Sequence, residues 1–297
     1  MSNIVCFGEV LWDVFSDDKK IGGAPLNVAL RLHSYKNNVT IISRVGKDDD
    51  GDKLKEYIET KGLLLDYVQT DAINKTSRVD VVLDEKGSAT YVINYPCAWD
   101  FIEYNENLLS LVENSDAFIF GSLVTRNKKS KETLEKLLKK SKFSVFDVNL
   151  RPPFYKINEL ENLMKVSNFL KFNNDELLEI SQRLGSKSNI IEDNILFISE
   201  YTNTKIICVT RGAEGAILFY NDKFFYNNGY SVKVSDTVGS GDSFLATLID
   251  LLLKKETPQK AINYACAVGA LVAENHGANP NLSINDIENL INSKRTL

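Results

Sequence analysis

The sequence predicts an α/β protein in which a mostly parallel sheet lies between two layers of helices, with a small β-stranded flap standing off it. Three observations carry that expectation. From Asp116 onward, short continuously apolar runs alternate with helical patterns, as a parallel sheet covered on both faces requires. One hairpin signal, Arg78 to Leu83 and Ser88 to Ile93 around Asp84-Glu85-Lys86-Gly87, interrupts this alternation. Late in the chain, Asp236-Thr237-Val238-Gly239-Ser240-Gly241-Asp242 runs directly into the apolar segment Ser243 to Leu253, a glycine turn opening a helix.

With 297 residues, 43% hydrophobic and 25% charged, the chain is expected to fold as one domain, residues 1–297, rather than to remain disordered. A net charge of -5 gives the protein no field for a nucleic acid backbone or an anionic membrane, so a small-molecule partner is expected. Cys6, Cys97, Cys208 and Cys266 are far apart and form no C-x-x-C, which reads as buried thiols in a reducing, cytoplasmic setting. The apolar run before Gly8 is too short for a signal segment and lacks a basic flank, and no later run approaches a membrane span.

In chain order, Ile4 to Phe7 reads as a buried strand ending at Gly8. Val10 to Phe15 continues extended but places Asp13 among large apolar residues, where a carboxylate needs a partner; it is either a structural aspartate or a ligand contact. In Ile21-Gly22-Gly23-Ala24-Pro25-Leu26-Asn27 the glycines permit close backbone approach and Pro25 suits a first helical turn. Asn27 then lies one turn into the helix, where its amide either faces solvent or donates to and accepts from a polyol. Val39 to Ser43 is a second strand. The acidic run Lys47 to Asp52 fails as a calcium loop, because setting Gly51 at the EF-hand glycine puts Gly46 at the first ligand position and Tyr57 at the last; a solvated helix start is expected instead. The hairpin and the Val10 to Phe15 segment together form the flap, roughly residues 10–22 and 77–100, suited to excluding water from a site.

Further on, the reading is Ala117 to Phe120 strand, Lys128 to Lys140 helix with Leu134, Leu137 and Leu138 inward, Phe143 to Val148 strand, a helix near Glu159 to Lys165, and Asn168 to Phe172 strand. Chemistry in such sheets gathers beyond the carboxyl ends of strands. Three polar clusters fall there: Asp147 to Arg151, Lys171 to Glu176, and Thr210 to Gly215 after the strand Ile206 to Val209. Arg151 suits a phosphate or sugar oxygen or is a loop cation; Asn173 to Glu176 reads also as an ordinary capped helix start. The glycines Gly212 and Gly215 let a flat ligand approach. At Gly239-Ser240-Gly241 the bare N–H groups and the helix N-terminus suit an anion. Asp242 there is either a helix cap or a proton acceptor for a hydroxyl attacking a phosphoryl group. There is no G-x-x-x-x-G-K-[ST], and His33 and His276 are the only histidines, so single-zinc and Ser-His-Asp chemistry have little support. Gly239-Ser240-Gly241 lacks the third glycine of a dinucleotide fingerprint.

Taken together, these motifs resemble the ribokinase-type (PfkB) carbohydrate kinases over Gly8 to Pro280. Asp236 to Asp242 matches D-T-x-G-A-G-D with serine for the usual alanine; Gly22 to Asn27 matches the sugar-binding signature; Asn173-Asn174-Asp175-Glu176 matches N-x-x-E; Thr210 to Gly215 corresponds to the nucleotide-lining loop. The resemblance implies a ribokinase-like fold with a β lid. It implies Asp242 as catalytic base with the amides of Gly239, Ser240 and Gly241 as anion hole. It further implies Asp13, Gly22, Gly23, Asn27 and Arg151 at the sugar, Asn173, Thr210, Gly212 and Gly215 at ATP, and Glu176 organising Mg2+ through water. Asp236, with the loop Asn275 to Asn279, falls where some relatives bind a monovalent cation such as K+. Phe7-Gly8-Glu9-Val10-Leu11-Trp12-Asp13, Ala98-Trp99-Asp100-Phe101 and Asp147 to Arg151 look most like bacterial fructokinases, implying transfer from ATP to D-fructose. Kinases for ribose, 2-keto-3-deoxygluconate or a nucleoside, and a non-catalytic sugar-binding regulator, remain alternatives. The exposed lid face offers a surface for a homodimer.

Overall fold

The computed structural model describes residues 1–14, 18–83 and 89–293. Two compact units divide the chain, Asn3–Ser141 and Lys142–Leu297.

In the first unit, β1 (Asn3–Phe7), β4 (Asn38–Gly46), β5 (Val68–Asp71) and β8 (Ala117–Gly121) form parallel ladders in the order β8-β1-β4-β5, interleaved in sequence with α1 (Ala24–Ser34), α2 (Asp49–Thr60), α3 (Glu106–Glu113) and α4 (Lys128–Leu138). Ile4 to Phe7 are buried because β1 has a neighbour on each side and cover on its faces, which explains a run with no polar alternation. Gly23, at φ 112°, caps α1, and Pro25 occupies its first turn. Asp48 caps α2 by accepting the Gly51 N–H at 2.9 Å, and Asp49, Asp50 and Asp52 sit in the first turn, so the acidic run is a helix start, as expected. In α4, Leu134 and Leu137 are buried while Lys128 and Glu132 face water.

A separate four-stranded sheet in this unit has the order β3-β2-β6-β7, from β2 (Leu11–Val14), β3 (Lys19–Gly22), β6 (Ser77–Leu83) and β7 (Ala89–Ile93). The hairpin β6–β7 is antiparallel, with Val79 opposite Ile93, and β2 runs parallel to β6, with Leu11 opposite Ser77. Phe15 and the turn Asp84 to Ser88 lie outside the described residues. The expected flap is therefore a four-stranded sheet; the strand β3, with its two lysines and a glycine, carries no apolar pattern by which to read it.

The second unit holds β9 (Ser144–Asp147), α5 (Ile157–Lys165), β10 (Phe169–Asn173), α6 (Asn174–Arg183), α7 (Ile191–Thr202), β11 (Ile206–Thr210), β12 (Ala216–Tyr220), β13 (Lys223–Asn227), α8 (Ser240–Leu253), α9 (Pro258–Glu274) and α10 (Ile284–Ser293). Strands β9, β10 and β11 are parallel, but β12 and β13 run antiparallel. The turn at Arg211 to Gly215 is too short for a crossover, and Asn221 and Asp222, at φ 48° and 65°, make the two-residue reversal of a hairpin. The strict alternation expected from sequence thus gives way to an antiparallel edge. Helices α8 and α9 pack along each other, and the Ser240 hydroxyl donates to the Gly269 carbonyl at 2.9 Å.

Candidate functional site

At the mouth of α8, Gly239 stands at φ 75°, and a Cβ on it would lie 2.4 Å from the Ala278 Cβ, so this position admits only glycine. The chain thereby enters a 14-residue helix at Ser240 with first-turn N–H groups that have no helical acceptor. Gly241 is exposed, and Asp242, half-buried, follows in the same turn. Substituting the usual alanine by Ser240 adds the bond to Gly269 and leaves the backbone donors as they are.

Beside this mouth lies a buried charged group on β9, β10 and α6. Lys171 and Asp147 are register partners on adjacent parallel strands, and Lys171 Nζ is 2.8 Å from Asp147 Oδ1 with both side chains buried. Burial pulls the ammonium toward neutrality, but Asp147, Glu176 and Asp242 outweigh it and hold Lys171 protonated, above its ordinary value. Glu176 is committed twice: Oε2 accepts the Asn173 N–H and Oε1 the Leu150 N–H, each at 2.8 Å, while Asn173 Oδ1 caps the Glu176 N–H. Burial raises the Glu176 carboxyl above the usual range against the pull of Lys171. Asp147 Oδ2 is buried without a hydrogen-bond partner. A buried carboxylate oxygen in that state suits a cation or a water bound to one, so the donor set fits a hydrated Mg2+ arriving with a nucleotide. Glu176 contributes there by fixing the Asn173 and Leu150 loops, with lone pairs left for water.

Asn173 and Thr210, partners across β10 and β11, open onto a cavity of about 770 Å³. Gly212, Gly215, Ser240 and Gly241 line it too, so six residues singled out in the sequence converge on one space. Gly215, at φ 82°, has the Asn227 carbonyl 2.0 Å from where a Cβ would stand. The remaining wall is largely apolar: Tyr230, Val232 and Val234 from the segment before α8, and Cys266, Gly269, Ala270 and Ala273 from α9. Polar strand ends on one side and a flat apolar wall on the other suit a phosphorylated, planar ligand. Sequence reading missed the α9 wall. Its signal is the small residues at 266, 269, 270 and 273, one helical face. Lys171 and Asp147 were likewise named only as parts of strand-end clusters.

In the first unit, a Cβ on Gly22 would lie 2.3 Å from Asp13 Oδ2, so the carboxylate rests directly against this glycine. On Gly23 a Cβ would meet the Glu9 carbonyl at 2.4 Å. Asn27, in the first turn of α1, is 5% exposed, which sets aside the solvent-facing reading. Asp13, Gly22, Gly23 and Asn27 are therefore grouped at one helix entrance. Arg151 is exposed and turns its guanidinium back to the Leu150 carbonyl at 2.9 Å. Asp236 accepts the Val238 N–H at 3.0 Å and the Gly277 N–H at 3.3 Å, joining the two loops named as a cation site. Among the described residues no three His, Cys, Asp or Glu side chains gather as a metal cage, and no helix is long and apolar enough to cross a membrane.

The family profile described as pfkB family carbohydrate kinase matches residues 1–285. A sugar kinase of Pyrococcus horikoshii, described as uncharacterized in its crystal structure, is 30% identical over 283 residues, covering 90% of this chain and 85% of its own. That crystal structure superposes with a TM-score of 0.82 over 97% of this chain and 99% of the other. The ATP-bound fructokinase of Xylella fastidiosa matches with a TM-score of 0.87 at 19% identity, over 99% and 100% of the two chains. A double mutant of the Vibrio cholerae fructokinase, bound to fructose, ADP and potassium ion, matches at 0.84 and 23% identity over 98% of each. The fold is thus the ribokinase-like α/β fold expected from sequence.

Proposed function

This chain belongs to the pfkB family of carbohydrate kinases and is an ATP-dependent phosphotransferase, and we propose that its acceptor is D-fructose, phosphorylated on a primary hydroxyl to fructose 6-phosphate. The observation that carries the chemistry is the mouth of α8, where Asp242 and the first-turn N–H groups, that of Ser240 also donating to the Thr237 carbonyl at 3.2 Å, stand beside a cavity ending in Asn173 and Thr210. The fructose assignment draws on the fructokinase-like segments Phe7 to Asp13 and Ala98 to Phe101 and on the likeness to fructokinase structures.

On this reading the base of ATP lies against the α9 wall and its phosphates run past Gly212 and Gly215 toward Gly241. Asp13, Gly22, Gly23 and Asn27 hold the sugar hydroxyls, and Arg151 supplies a cation to the sugar or its product. Asp242 takes the hydroxyl proton as the sugar oxygen bonds to the γ-phosphorus and the bond from that phosphorus to the β,γ-bridging oxygen breaks, releasing ADP. The N–H groups of Gly239, Ser240 and Gly241 form the cradle for the transferring oxygens. Asp147 and Glu176 are the residues to hold hydrated Mg2+, which when bound neutralises phosphate charge. Asp236 and the Gly277 loop would hold K+, which when bound would add positive charge near the cradle. The four-stranded sheet serves as the lid, its outer face as a homodimer surface, and residues 1–297 as a single cytoplasmic kinase domain.

Release of ADP, measured over a panel of fructose, ribose, 2-keto-3-deoxygluconate and nucleosides, tests the assignment. Fructose is expected to give the highest kcat/KM, and a tenfold preference for another acceptor would replace it.

A further inference from the structure

Resting on the kinase reading above, we propose that Lys171 is a catalytic residue of the transfer: a buried ammonium, aimed by Asp147, that donates to the transferring phosphoryl group at the mouth of α8. The missing side chain of Gly241 is the first observation. A Cβ built there meets only one group within 4 Å outside its own surroundings in the helix, Lys171 Nζ at 3.8 Å. The space left open at the helix mouth is therefore bounded by the ammonium. An oxygen placed in it reaches both the Gly241 backbone donor and Nζ.

The second observation is how the ammonium is held. Of its three N–H donors, one goes to Asp147 Oδ1 at 2.8 Å, and among the described residues Nζ makes no other hydrogen bond to a protein group. The residue is 7% exposed, so little of the ammonium faces bulk water. Its carbonyl accepts the Val148 N–H at 3.0 Å, so the backbone is fixed on the strand side as well. A donor buried, charged and pre-aimed at a helix N-terminus is the arrangement that stabilises charge moving onto phosphoryl oxygens without reorganising.

The competing account is that Lys171 and Asp147 merely tie β10 to β9. Buried ion pairs, however, seldom hold a fold better than neutral side chains of the same size, because desolvation offsets their attraction. The two accounts diverge when the ammonium is removed while Asp147 stays in place for the hydrated Mg2+. Lys171→Met keeps the length of the side chain and removes the charge, whereas Lys171→Arg keeps a charge on β10 in a longer, planar group.

The experiment measures three things on the full chain: thermal midpoint, affinity for MgADP, and the tightening of MgADP binding when aluminium fluoride is added as a planar phosphoryl mimic. Wild type is expected to tighten at least tenfold. Lys171→Met is expected to bind MgADP within about threefold but to lose the tightening and, with sugar, roughly two to three decades of kcat, whatever its thermal midpoint. Lys171→Arg, which keeps a cation beside Asp147, is expected to melt near wild type and regain at least tenfold of the lost kcat with KM for ATP nearly unchanged, and it decides the matter should Lys171→Met not fold. Tightening and kcat retained in Lys171→Met, or an Arg variant that melts like wild type yet shows only a KM effect, overturn the role of Lys171. Absence of tightening in wild type together with no ADP release on any sugar overturns the kinase reading itself, whereas tightening without turnover points to an untried acceptor and leaves Lys171 supported.

Discussion

Arg126 and Asp100 meet through two hydrogen bonds in a site without solvent: Nε lies 2.7 Å from Oδ1 and Nη2 2.9 Å from Oδ2, with the side chains 1% and 0% exposed. The guanidinium also lies 4.0 Å from the ring centroid of Trp99, and Asp100 accepts the Cys97 N–H. Each partner thus satisfies a charge that the other would strand. Asp100→Ala is expected to destabilise the first unit by about 3–5 kcal/mol, because it leaves the guanidinium buried and uncompensated. Urea unfolding followed by tryptophan fluorescence checks this, and a loss below about 1 kcal/mol would show that the pair contributes little.

Asp242→Asn preserves shape at the α8 mouth but cannot take a proton. Turnover is expected to fall by two or more decades while ADP and sugar affinities stay within a few-fold. Stopped-flow ADP release with parallel calorimetric titrations separates these, and near-normal turnover in the variant would remove the acid–base assignment.

The α9 wall predicts a different failure. Ala270→Phe places a ring in the cavity of about 770 Å³ from the α9 side. The dissociation constant for ADP is expected to rise at least tenfold, with sugar affinity unchanged. Unaltered ADP binding would place the nucleotide elsewhere.

A further effect concerns acid. Burial pushes the Asp71 carboxyl up, but the N–H groups of Asn74 and Ile73, the Asn74 amide and Arg44 outweigh it and hold the group below the ordinary carboxylate value. A depressed folded-state value means that the stabilisation is complete above the unfolded-state pKa of about 3.9 and is lost as pH falls through the folded one. Asp71→Asn is therefore expected to lower the urea midpoint at pH 7, with the gap from wild type closing below about pH 4. A gap that stays constant to pH 2 would contradict this.

Where residues announced their own geometry, the sequence was readable. The apolar run Ile4 to Phe7 suits a buried strand, Pro25 suits a first helical turn, and the glycines at 23 and around Ser240 suit turns that other residues rarely make, and each stands where it was expected. The antiparallel edge was not readable, because Ala216 to Tyr220 is as apolar as any parallel strand and only the length of the preceding turn sets its direction. Lys171 was hidden for a related reason. A lysine in an apolar run looks like an interruption until the chain brings Asp147 beside it in register. The small residues of α9 read as ordinary packing, since nothing local says that one face of that helix borders a hollow.

The bond from Ser240 to the Gly269 carbonyl has an engineering consequence. It fastens the start of α8 to the middle of α9, while Ala270 and Ala273 line the hollow beyond it. With the nucleotide placed as proposed, donor preference, purine against pyrimidine triphosphate, is expected to shift when those two small side chains are reshaped, with the anchoring glycine and its serine left alone.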